Sequence, residues 1–114
     1  MFSVQKDRLV RVMDQLGFAE STIGTKYIRE AVEIASELDR VMMTKHIYPA
    51  IAKAHGESAA GVERAIRTAI SKATRSPMWE WQWRDIGGWN EPTNSEVIMR
   101  LTREVTPDAD GIPD

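Results

Sequence analysis

Residues 58–75 read "SAAGVERAIRTAISKATR". Val62, Ala65, Ile66, Ala69, Ile70 and Ala73 recur at three- and four-residue intervals, which is one face of an α-helix. Ser58 stands where an N-cap belongs. "RSP" at 75–77 marks the stop, because a residue that precedes proline avoids helical geometry. Ala60, Glu63, Arg64, Arg67, Thr68 and Ser71 are left on the opposite face.

Working back from Ser58, "HGES" reads as a tight turn on Gly56. Before it, about Lys45 to Ala54 reads as a short helix with Pro49 in its first turn, where a missing N–H costs little. A helix-turn-helix needs a small residue in its first helix, a turn that tolerates left-handed geometry, and an early apolar lock in its second. Ala52, Gly56 and Val62 supply all three. The N-terminal half of the second helix would then carry Glu63, Arg64 and Arg67 to the base edges of a DNA major groove. Arginine can grip O6 and N7 of guanine, and glutamate can accept from N4 of cytosine. A carboxylate is costly against phosphate, so Glu63 favours base readout over plain charge attraction. The competing explanation is an amphipathic helix whose charged face is simply wet.

The remaining chain also reads as helical. Leu9, Val12, Met13 and Leu16 share one face of a helix over about 3–16, with Gly17 as its stop. Ile28, Val32, Ala35 and Leu38, widened by Tyr27, Ala31 and Ile34, predict a second helix from about Thr25 to Leu38. "TNSE" at 93–96 is a capping box in front of Val97, Ile98, Leu101 and Val105. Trp79, Trp81 and Trp83 alternate as in a strand, but Trp79, Trp83 and Ile86 also fit a helix face. With no partner strand in view, a short helix is the expectation. Trp79, Trp83 and Trp89 are expected to pin it to the core, with Trp81 exposed as a candidate partner surface. The fold is therefore expected to be all-α, one domain of about six helices over 1–105, followed by an acidic, disordered tail over 106–114.

Composition limits the function. The chain has 114 residues, 42% of them apolar, which suits one domain with a modest core. It contains no cysteine, which excludes disulfides and thiolate metal sites. No apolar leader and no run of about 18 apolar residues is present, so a cytoplasmic protein without a membrane span is expected. The net charge is −2, but residues 45–75 hold six basic residues, Lys45, Lys53, Arg64, Arg67, Lys72 and Arg75, against Glu57 and Glu63. His46 and His55 have no acidic residue at helical spacing to complete a metal site, and they read as surface or turn histidines. No phosphate-binding glycine loop and no carboxylate pair is evident, so neither a cofactor nor an enzyme is expected.

"TKYIREAV", "KHIYPAIAKAHG", "GVERAIRTAI" and "PTNSEVI" together resemble the C-terminal effector domain of the sporulation response regulator, stage 0 sporulation protein A, over about residues 8–105. The resemblance implies a six-helix domain that binds a short promoter box in double-stranded DNA. It places the family's base-contacting glutamate and arginines on Glu63, Arg64 and Arg67. It implies phosphate contacts from Lys45, Ser58, Thr68, Lys72 and Arg75. It further implies homodimeric or tandem contacts through the last helix, around Glu96 to Arg103.

Some positions depart from the family pattern. Gly61 stands in place of a usual arginine, Thr68 in place of a usual histidine, and the tryptophan segment in place of an ordinary short helix and loop. No receiver domain fits in 114 residues, so a stand-alone effector domain is expected, or one trimmed from a longer protein. Asp7 and Asp14 are not expected to act as phosphoacceptors. Gly61 and the negative net charge keep a second function open, a module that binds or titrates another regulator without reading DNA.

Overall fold

The computed structural model describes residues 4–38 and 42–106. Within them the chain forms six α-helices: α1 (Lys6–Leu16), α2 (Ile23–Ala35), α3 (Tyr48–His55), α4 (Ala59–Ala73), α5 (Trp79–Asp85) and α6 (Asn94–Val105). No strand occurs among the described residues, so the protein is all-α. The expected apolar stripes meet in one core. Leu9, Leu16, Ile28, Val32, Ile51, Val62, Ile66, Ile98 and Leu101 are almost wholly excluded from solvent. The acidic tail from Pro107 onward lies outside the described residues, while Thr106 is buried.

The termini of the elements follow local chemistry. Gly17 adopts a φ of 104° and returns its amide to the carbonyls of Met13 and Asp14, closing α1. Ser58 caps α4 by accepting from the Gly61 amide, and Thr93 caps α6 by accepting from the Glu96 amide. Glu96 does not close the box onto Thr93; its carboxylate accepts from Arg100 Nε at 3.4 Å.

Three helices differ in extent from expectation, and the first of them begins only at Lys6. The second helix starts at Ile23, so Gly24 belongs to its buried face, and it ends at Ala35, followed by tight turns at Glu37 and Leu38. The third is composite. Met43–Ile47 is a π-helical turn that runs straight into α3, so Pro49 lies well inside a continuous helical stretch. A proline there would press on the carbonyl four residues back, and the widened π turn relieves that contact.

Two helices place α4. It packs chiefly on α2 and α3. At the α2 crossing, a side chain on Gly24 would overlap the Ala65 carbonyl and come within 2.7 Å of the Ala69 methyl. Only glycine allows so close an approach. Elsewhere in the fold α1 meets α6. The Gln5 amide donates to the Val105 carbonyl at 2.8 Å, and Arg8 pairs with Glu104.

The tryptophan segment is the short helix α5. Trp79 and Trp83 stack at 5.4 Å, and Phe18 meets Trp79 edge-on at 6.0 Å. The Trp83 indole donates to the Asn90 carbonyl at 3.1 Å. Trp81 is 71% exposed, as expected. Trp89 is not a core pin: it is 75% exposed, with Arg84 5.6 Å from its ring centre. Next to it, Gly88 passes so close to the Trp83 ring that any side chain there would overlap the indole.

Candidate nucleic-acid interface

Helix α3 ends at His55 and α4 begins at Ala59, so three residues separate them. Gly56 takes φ 63° and ψ 34°, and the amides of Gly56 and Glu57 both return to the Ala52 carbonyl. Nothing lies within 4 Å of where a Gly56 side chain would sit, so the left-handed backbone alone calls for glycine. Ala52 and Val62 are buried, as the helix-turn-helix reading of the sequence requires. The described geometry is a helix, a three-residue glycine turn, and a second helix with one charged face in solvent.

That face carries the expected residues. Arg64, Arg67 and Thr68 are exposed on α4, with Ser71, Lys72 and Arg75 following on the same side or at its edge. Arg64, Thr68, Ser71 and Arg75 recur at four, seven and eleven residues, a single stripe along the helix. Glu63 flanks the stripe and is only half exposed; its carboxylate lies 4.0 Å from Arg67 Nη1. An exposed pair of this kind is worth under about 1 kcal/mol and is easily exchanged for other partners. Ala65, expected in the core, is only partly buried, because its carbonyl side rather than its methyl meets α2 at Gly24.

Of the expected phosphate-contacting residues, Thr68 and Arg75 lie in this stripe and Lys72 beside it, while Lys45 and Ser58 precede it in the chain. Lys45 is exposed on the π turn ahead of α3. The Ser58 oxygen is already engaged as the α4 cap, and its hydroxyl proton stays free to donate. Beside it sits a residue that the sequence reading passed over. Glu57 accepts from the Ser58 amide at 2.9 Å, and its carboxyl carbon lies 2.6 Å from where a Gly61 side chain would begin. Glu57 thus folds over the first turn of α4 in space that any other residue at 61 would contest.

A second feature was also missed. Behind Glu63, the Asn94 side-chain amide donates to the Tyr48 hydroxyl at 3.0 Å and to the Glu63 carbonyl at 3.2 Å. Burial pushes the Tyr48 phenol above its ordinary value; the Asn94 hydrogen bond opposes this, and Glu63 adds to it. The sequence holds a signal for Asn94, which lies four, seven and eleven residues before Ile98, Leu101 and Val105 and so on their inward stripe. A groove of about 460 Å³ opens between this network and the charged stripe, lined among others by Thr44, Tyr48, Arg67 and Glu91.

The histidines lie elsewhere. His55 bonds the Glu30 carboxylate at 2.8 Å and leans on Tyr27, while His46 Nδ1 accepts from the Met42 amide at 3.1 Å. Glu30 comes from α2, so spacing along α3 could not have found it. Among the described residues no group of three or more His, Cys, Asp or Glu could hold a metal ion. None of the described helices is long and apolar enough to cross a membrane.

The family model described as "Sporulation initiation factor Spo0A C terminal" matches residues 9–105, which is most of the chain and all six helices but the first turn of α1. The match spans the glycine turn, the charged helix and the "PTNSE" cap together. The chain belongs to this family, the DNA-binding effector domains of sporulation transcription regulators.

Proposed function

We propose that the chain is a sequence-specific double-stranded DNA-binding transcription regulator that lays α4 in the major groove. The observation that carries this reading is the exposed face of α4 that holds Arg64 and Arg67 in solvent, with Glu63 at its flank, on the second helix of the α3–α4 pair. Arg64 and Arg67 donate to guanine edges, and Glu63 accepts from cytosine. Lys45, Ser58, Thr68, Lys72 and Arg75 hold the phosphates on either side. The domain is the unit over 1–105, the work is binding rather than catalysis, and its place is with the DNA in the cytoplasm. Neighbouring copies meet through α6, where Arg103 is exposed and Met99 half-buried.

A second reading is favoured by one observation, the Glu57 carboxylate lying over the front of α4. In that reading the chain binds or titrates another regulator, through α6, without reading DNA itself.

Fluorescence anisotropy across a salt series separates the two. The probes are a duplex carrying the family's promoter box, a scrambled duplex, and a pool of random duplexes for selection. Enrichment of a preferred sequence, with a preference that survives rising salt, supports base readout. Failure to bind any duplex at low salt sinks the DNA reading and leaves the interaction module.

A further inference from the structure

We infer that Asn94 is the positioning residue that fixes the azimuth of the reading helix, so that base discrimination by Glu63 and Arg67 is controlled from α6. The inference rests on the DNA-reading function proposed above. Asn94 is the first residue of α6, directly after the Thr93 cap. Both hydrogens of its side-chain nitrogen are used, one on the Tyr48 hydroxyl at 3.0 Å and one on the Glu63 carbonyl at 3.2 Å. Tyr48 is the first residue of α3 and is 6% exposed. One side chain therefore joins the starts of α3 and α6 to α4, at the very residue whose carboxylate flanks the charged stripe.

The tie acts on rotation about the helix axis. On its α2 flank α4 is stopped by steric contact, Gly24 against the Ala65 carbonyl. Such a contact limits approach but not roll. A hydrogen bond to the Glu63 carbonyl from a different direction adds a restraint on roll to that of the buried Val62 and Ile66. Bidentate base contacts tolerate little angular error, whereas phosphate contacts from flexible lysines and arginines tolerate much more. Loss of the tie should therefore blunt discrimination without weakening the general attraction to DNA.

The test measures affinity for two duplexes, the sequence that the unaltered chain selects from a random pool and its scramble. The variants are Asn94→Ala, Tyr48→Phe and Thr93→Ala. Asn94→Ala should cut the specific-to-scrambled ratio about tenfold, the scale of one good base contact, and leave scrambled binding unchanged. Tyr48→Phe keeps the Glu63 tie and should lose less. Thr93→Ala removes a cap and lowers thermal stability but should keep the ratio, which separates positioning from mere destabilisation. Asn94→Ser, tolerated at a helix start but too short to span to Glu63, replaces Asn94→Ala should that variant not fold. A ratio unchanged in the Asn94 variants overturns the inference while the DNA reading stands. If the unaltered chain selects no sequence, the DNA reading fails and the inference falls with it.

Discussion

The Ala65 carbonyl fills the space in which a side chain on Gly24 would begin. That carbonyl is held by the α4 helical ladder and cannot turn aside. Gly24→Ala must therefore push α4 off α2. Alanine's helix propensity returns up to about 1 kcal/mol. The overlap costs about 1–3 kcal/mol, which is the larger effect. A lower urea midpoint with unchanged slope is the expected result, and a raised midpoint would show that the crossing has slack.

Arg64 and Lys72 should fail in different ways. Arg64→Ala removes a two-pronged donor and is expected to cost about 1–3 kcal/mol on the selected duplex, with little effect on a scrambled one. Lys72→Ala is expected to weaken both duplexes alike and to flatten the salt dependence by roughly one phosphate contact. Anisotropy titrations at several salt concentrations distinguish the two patterns. Equal losses on both duplexes for Arg64→Ala would remove it from the reading set.

Glu57 sets a negative charge at the front of α4, the helix proposed to face DNA. Glu57→Gln should tighten binding to every duplex by about two- to fivefold at low salt, the scale of a charge at a helix start. Gly61→Ala should act in the same direction, since its methyl would expel the Glu57 carboxylate from a site 2.6 Å away. The gain from Gly61→Ala should vanish in the Glu57→Gln background. Independent gains would mean that the two residues do not act together.

Tyr48 gives an alkaline signature. Its folded phenol holds its proton above the ordinary 10.0 through burial. Above pH 10 the unfolded chain releases that proton and the folded chain does not, so stability present below this pH declines as pH rises. Tyr48→Phe is expected to be less stable near neutrality, because it leaves one Asn94 hydrogen without its partner, yet to lose less between pH 10 and 11. Chemical denaturation at both ends of that window decides it, and parallel curves for the two proteins would contradict the burial effect.

The most legible parts of the sequence were those set by local chemistry. The Ser58 and Thr93 caps, the Gly17 stop and the stripes of α4 and α6 depend on residues within a few positions of each other, so periodicity and cap chemistry place them. The π turn before Tyr48 was hidden because a 3.6-residue pattern cannot register a widened turn. The α2 start was read two residues late because Gly24 has no side chain to count, although it lies four, seven and eleven residues before Ile28, Ala31 and Ala35. Trp89 misled because it lies beyond the end of α5, where no helical period governs its direction, and it turns out to solvent beside Arg84. His55 with Glu30 and Asn94 with Glu63 join residues 25 and 31 apart, distances that only the folded chain can bridge. At the candidate interface the exposed charged side chains of α4 were visible in advance, and the Asn94 hydrogen bonds behind them were not.

The hydrogen bond from Gln5 to Val105, 2.8 Å long, brings the two ends of the described helical unit to one corner. The domain is in effect a closed ring that the backbone happens to interrupt there. A short bridge across that corner, with the chain reopened at the exposed Trp89–Glu91 segment, should yield a circular permutant with the same core. Any module fused before Gln5 and any fused after Val105 would share a single attachment point, and so compete for the same space.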